Sequence, residues 1–169
     1  KYSMTHIFIK HSDRIVNSLS QLSNTNIDIQ QVFYNYTLST IYEIGIGVPL
    51  SVIPNSLKFS QAFDEVQNYI EKRFYNPFWK IERYLNIRYE KKIKTALNII
   101  NDNISYILNN YQIRYYNNDN ILSHFIKSNP TMTFNEKKDV ILNFMIAGRD
   151  TTAVLLSWSL YIIIIYPEH

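Results

Sequence analysis

Apolar positions recur with helical period along almost the whole chain. Phe8, Ile15, Leu19 and Leu22 fall on one face of a first helix. Asp28 is placed to open a second, with Phe33, Thr37, Thr40 and Ile44 along one stripe and Gly45, Gly47 and Pro49 to end it. "VPLSVIPNS" reads as a loop through its two prolines. A third helix is expected from about Lys58 to Phe74, stopping before Pro77. "FWKIERYLNI" then connects, as a short helix. The clearest amphipathic pattern is Ile93, Leu97, Ile100, Ile104, Ile107 and Tyr111, in steps of four and three. "NNDN" is a polar break, followed by a short helix over "ILSHFIKS" that Pro130 ends. Thr133 and Glu136 form a Thr-x-x-Glu capping pattern at the start of a last helix, expected from about Phe134 to Tyr166, with Pro167 ending it. There is no alternating strand pattern longer than a few residues and no internal repeat. The expected class is all-α, with one very long helix.

The 169 residues suffice for one domain with a real core, and with 46% apolar and 18% charged residues the chain is not of disordered type. A formal charge of +3, without a run of five basic residues, gives no case for a nucleic-acid partner. The chain has no cysteine, which excludes disulfides and thiolate metal ligands among these residues. His6 and His11 are five apart, so they do not share a helix face as a metal pair would; they read as surface or packing residues. Asn35 and Asn103 begin Asn-x-Ser/Thr patterns, but both fall inside expected helices. No signal peptide is expected, since polar residues break up "KYSMTHIFIK". The uncharged stretch Thr151–Pro167 reads as a buried helix rather than a membrane span, because Ser157 and Ser159 interrupt it.

The last helix contains an anomaly. Gly148, Arg149, Asp150, Thr151 and Thr152 are poor helix formers or charged, and they sit mid-way along an otherwise apolar helix. Phe144, Ala147, Gly148, Thr151, Leu155 and Trp158 share one face, on which the small pair Ala147 and Gly148 makes a shallow notch between Phe144 and Leu155. A flat or bulky ligand could approach the backbone there. Thr151 is four residues after Ala147, so its hydroxyl can bond the Ala147 carbonyl and bend the helix, with a π-bulge or an inserted water as the common accompaniment. A buried Asp150 beside that hydroxyl makes a proton relay. The same small residues would also serve close helix packing, and Asp150 could simply pair with a cation. Arg149 points away from the notch and reads as a surface or salt-bridge residue.

"AGRDTT", preceded by "ILNFMI" and followed by "AVLLSW", resembles the oxygen-activating central helix of the cytochrome P450 family, the haem-thiolate monooxygenases. Ala147 to Thr152 match that family's Ala/Gly-Gly-x-Asp/Glu-Thr-Thr/Ser pattern fully. "FSQAFDEV", "FWKIERYLNI", "DVILNFMIAGRDTTAVLLSWSLY" and "YPEH" resemble, in that order, the eukaryotic clan of long-chain fatty-acid hydroxylases. "MTHIFIKHSDRIVNSLSQLS" is similar to the clan's fourth lettered helix and "IDIQQVFYNYTLSTIYEIGIGVPL" to the next. In the latter, Leu38 and Ser39 stand where the clan usually has Phe-Asp, and Ile46 and Gly47 where it has Phe-Gly.

The resemblance implies that residues 1–169 are an internal portion of one cytochrome P450 domain, its helical part with the long central helix, without the amino-terminal anchor and β-rich region or the carboxy-terminal haem-ligand region. It implies that Ala147, Gly148 and Thr151 lie against haem, that Thr151 holds a water or hydroperoxide, and that Asp150 resupplies protons. Asn143, Phe144 and Leu155 would line the substrate side. The implied chemistry is O2-dependent hydroxylation of a C–H bond in a long-chain lipid, with electrons from NADPH through a cytochrome P450 reductase. The implied location is the cytosolic face of the endoplasmic reticulum membrane. No axial cysteine is present, so the chain alone is expected to be inactive.

Two other readings stay open. One is a haem-free helical module that docks a partner in the notch of the last helix. The other is a membrane-surface bundle. It rests on "RFYNPFWKIERYLNI", where Arg73, Lys80 and Arg83 mix with Phe74, Tyr75, Phe78, Trp79 and Tyr84. That stretch could also be a packed segment with snorkelling cations, or stack bases; the resemblance favours lipid contact. Its central helix, apolar nearly all round, suits burial on every side, so exposed apolar surface and oligomerisation are expected of this chain alone.

Overall fold

The computed structural model describes the backbone of residues 2–21, 26–111 and 120–168. Among these it contains seven α-helices and no strand. They are α1 (Tyr2–Ser20), α2 (Ile29–Ile46), α3 (Ser56–Tyr75), α4 (Trp79–Leu85), α5 (Arg88–Tyr111), α6 (Ile121–Ser128) and α7 (Phe134–Ile165), with a 3-10 turn over Leu50–Val52. The all-α class and the long last helix stand as expected. Leu22 and the start of "NNDN" lie outside the described residues. The chain divides into two compact units, residues 1–50 with 115–169, and residues 51–114.

In the first unit α2 is the central element and packs on α7, α1 and α6. Asp28 caps α2 as expected, its side chain accepting from the Gln31 amide at 3.1 Å. The helix does not stop at Gly45 but runs on to Ile46, and Gly47 closes it with φ 83. Glycine is needed there twice over, since a Cβ would also meet Asn120 Nδ2 at 2.6 Å. Asn120 caps α6 through the Ser123 amide at 2.7 Å. The core is formed by Leu38, Tyr42 and Ile44 of α2, Ile126 of α6, and Ile141, Met145 and Ala153 of α7. α1 is tied to α2 by a buried polar cluster, in which Glu43 accepts from Lys10 Nζ at 2.6 Å and bonds His11 Nε2 at 2.7 Å.

The second unit is an α3–α5 pair with α4 against α5. Phe59, Ala62, Phe63 and Val66 of α3 and Ile93, Ala96, Ile100, Ile104 and Ile107 of α5 are buried. Leu97, expected in the stripe, is instead 39% exposed and Ala96 takes the inward place, a step of three from Ile93 rather than four. Near the end of α3 and the start of α5, Arg73 grips Glu90 with two bonds of 2.6 and 2.8 Å, and Tyr69 stacks on Tyr89.

Candidate functional site

α7 begins with the expected capping box. The Glu136 amide donates to the Thr133 hydroxyl, and the Glu136 carboxylate accepts from the Thr133 amide at 2.7 Å. Those Thr133 bonds hold the Glu136 carboxyl below the usual carboxylate range. This fixes the helix start.

The face of α7 that meets the rest of its unit is set by Ile141, Met145, Arg149 and Ala153, its buried residues, in steps of four. Two reciprocal contacts fix the register with α2. A Cβ on Gly148 would come within 2.6 Å of Ile41 Cδ1, and one on Gly45 within 3.1 Å of Phe144 Cδ1. As α2 advances one turn, α7 goes back one, so the pair is antiparallel. Gly148 therefore faces α2, and its missing side chain lets the two helices approach. The open notch is bounded instead by Ala147 and Thr151, both exposed.

Arg149 was expected to be a surface or salt-bridge residue. It is not at the surface: only 1% of it is exposed, and its guanidinium lies 4.8 Å from the centre of the Tyr34 ring on α2. It does form an ion pair, Nη1 donating to Asp150 Oδ1 at 3.3 Å. Asp150, expected to be buried, is half-buried, with 27% of its side chain exposed. The reason is rotational. At about 100° per residue, Asp150 lies at the edge between the face that packs on α2 and the face that carries Thr151.

Thr151 Oγ1 donates to the Ala147 carbonyl at 2.7 Å, as its spacing suggested. The helix remains α-helical from Phe134 to Ile165, without a π-helical turn. Ser157 makes the same bond to the Ala153 carbonyl at 2.8 Å, so the back-bond alone does not mark a site.

The three residues expected on the substrate side stand apart. Asn143 is exposed and lines an open cleft of about 470 Å³ with Asn129, Thr131 and Glu136. Phe144 covers Gly45 and borders an apolar crevice of about 10 Å³ with Ile41, Ile121 and Met145. Leu155 is 65% exposed. The stretch 151–167 was expected to be a buried helix, but Trp158 and Tyr161 to Ile165 are exposed, which is the apolar surface expected of this chain alone. By length and composition α7 could cross a membrane, a test that core helices of soluble proteins also pass.

In the second unit, Phe74 and Tyr84 are 85% and 89% exposed. The packed reading of this connector holds for Glu82, which is buried, and for Trp79, half-buried with Arg73 over its ring at 5.1 Å.

Sequence reasoning missed Tyr34 and Ile41 and read Gly45 only as a helix end; these are the α2 residues that seat α7. One signal could have found the seat: an arginine within the four-step series Ile141, Met145, Arg149, Ala153.

Comparison with known proteins bears on the same helix. The model of the cytochrome P450 family matches residues 1–169. Cytochrome P450 704B1 of Arabidopsis thaliana is 32% identical over 94% of this chain and 35% of its own length. Cytochrome P450 94A2 of Vicia sativa is 28% identical over 96% of the chain and 35% of its own length. Cytochrome P450 94A1 of Vicia sativa is 25% identical, over 92% and 34%. The chain thus spans about a third of the length of the curated relatives it matches. With the family match running from the first residue to the last and the hexad standing on its long helix, the chain belongs to the cytochrome P450 family.

Proposed function

We propose that the chain supplies the oxygen-side helices of a haem-dependent monooxygenase that hydroxylates long-chain fatty acids. One observation carries the reading. The hexad Ala147–Thr152 sits on α7 so that Ala147 and Thr151 share an open face while Arg149 anchors the opposite one. A methyl group and, one turn on, a short hydroxyl side chain let a flat ring come against the helix. The residues present fit haem on this side only, since the chain has no cysteine to supply an axial thiolate. By itself the chain would therefore be inactive.

When bound, haem supplies the oxygen chemistry, with electrons drawn from NADPH through a cytochrome P450 reductase. The protein's part is proton handling and positioning. Thr151 Oγ1 donates its hydrogen bond to the Ala147 carbonyl, so its lone pairs can accept a bond from a water on the open face. Asp150 is the adjacent group able to take and return a proton at its carboxylate. Gly148 contributes by letting α2 close in behind the site. Phe144 and Leu155 flank the open face, and an acyl chain would run along it past Asn143.

The exposed Phe74, Tyr75, Phe78 and Tyr84, with Lys80, Arg83 and Arg88 beside them, suit a bilayer surface. The proposed location, the cytosolic face of the endoplasmic reticulum, rests on the family and not on this patch. Flotation with liposomes should be lost in a Phe74→Ala/Phe78→Ala variant; equal flotation would remove the lipid contact.

The main test uses a haem-loaded protein that contains this chain. It should give the reduced carbon-monoxide band of a thiolate haem and hydroxylate a long-chain fatty acid. Thr151→Ala should divert electrons from product to peroxide. Unchanged coupling would count against the proton role. A protein that takes up no haem would favour the alternative, a haem-free docking module built on the exposed side of α7.

A further inference from the structure

Arg149 is the largest fully buried side chain among the described residues. A guanidinium taken out of water needs compensation, and breaking a buried pair costs far more than an exposed one. Two of its partners flank it. The face of the Tyr34 ring lies 4.8 Å away on α2, and Asp150 Oδ1 accepts from Nη1 at 3.3 Å. Asp150 is about 100° round the helix from both Arg149 and Thr151, so its short side chain could lean either way. The ion pair turns it toward Arg149.

We propose that Tyr34 acts through Arg149 as a positioning residue for Asp150. The stacked ring fixes the guanidinium, and the guanidinium fixes the carboxylate at the edge of the open face. A planar guanidinium suits both tasks at once, stacking through its face and donating through its rim. The inference deepens the reading of α7 as the oxygen-side helix and, for its effect on proton delivery, rests on it. The clamp itself can be tested without haem.

The test is nuclear magnetic resonance on the isotope-labelled chain. In the wild type, Arg149 side-chain protons should show ring-current shifts and cross-relaxation to the Tyr34 ring; their absence overturns the proposal without any substitution. Tyr34→Phe keeps the ring face and should leave the Asp150 carboxyl carbon shift and side-chain couplings in place. Tyr34→Leu and Arg149→Met should both move them to the averaged values of a free surface aspartate. The double variant should do no more than Arg149→Met alone. Circular dichroism checks that each variant is folded. An Asp150 signal indifferent to Tyr34→Leu, or disturbed equally by Tyr34→Phe, overturns the clamp. In a haem-loaded protein containing the chain, Tyr34→Leu should raise the peroxide lost per product about fivefold, the weight of one cation–π contact at a half-exposed ring, and Tyr34→Phe should not. A clamp seen by resonance without that change would support the positioning and count against the oxygen reading.

Discussion

Ile41 on α2 fills the space that Gly148 leaves on α7. A Cβ on Gly148 would lie 2.6 Å from Ile41 Cδ1 and 2.9 Å from Cγ1, closer than carbon atoms tolerate. Rotating the side-chain end relieves the first clash, but the second needs Ile41 or a helix to move. Gly148→Ala should therefore lose about 2 kcal/mol to overpacking and regain about 1 kcal/mol of helix propensity. The expected net loss is about 1 kcal/mol in a denaturant melt, and in an Ile41→Ala background the same change should cost nothing or add stability. A Gly148→Ala chain more stable than the wild type would show that the helices are not in contact here.

Thr151 should behave in the opposite way. Its hydroxyl satisfies a carbonyl one turn back on an exposed face, and threonine is a weaker helix former than alanine. Thr151→Ala should leave the haem-free chain unchanged or more stable by about 0.5 kcal/mol. Paired with a loss of coupling in the haem-loaded protein, a stability gain would mark a residue kept for chemistry at the expense of the helix. A clear loss of stability in the thermal melt would assign Thr151 a structural role instead.

Glu43 gives the first unit a pH dependence. Burial pushes its carboxyl upward, but the bonds from Lys10 and His11, with their charges, outweigh this and bring it below the ordinary value of 4.5. A carboxyl depressed in the folded state contributes stability that is fully present above its unfolded value and is lost as the pH falls through the folded one. The loss should begin below about pH 4.5. Glu43→Gln should flatten that part of the stability–pH curve and cost about 1–3 kcal/mol at neutral pH, since Lys10 and His11 lose a charged acceptor. Urea melts across the acid range read both effects. A variant with the wild-type slope would show that the cluster does not bind Glu43 in its charged form.

The helix limits were legible where chemistry is local. Asp28 and Thr133 are caps with their partners three residues on, and Pro130 and Pro167 stop helices whatever surrounds them. What depends on a partner far along the chain was not legible. Ile93 permits either Ala96 or Leu97 as its next inward neighbour, and only the presence of α3 decides for Ala96. Gly148 read as an opening toward a ligand because Ile41, which occupies that side, is set by the fold. Arg149 read as outward because a lone cation is costly in a core, and Tyr34, which helps make the burial tolerable, is invisible in local sequence. Helical period cannot rank the faces of α7 either, because apolar residues surround it.

That last ambiguity leads to a prediction about the chain in isolation. Leu155, Trp158 and Ile162 are 65%, 61% and 52% exposed, and Ile163, Ile164 and Ile165 add 63%, 69% and 46%. They form a continuous apolar end on α7, larger than the scattered apolar side chains that soluble surfaces carry without consequence. Water is excluded from such a surface most simply when two copies cover each other. Sedimentation should therefore show concentration-dependent association of the chain, weakened at low temperature as apolar contacts weaken. Leu155→Lys with Ile162→Lys, one charge on each of two exposed turns, should shift it to monomer without loss of helix, because neither side chain is buried in its own unit. A wild-type chain that stays monomeric at high concentration would mean that this end of α7 is covered within a single molecule.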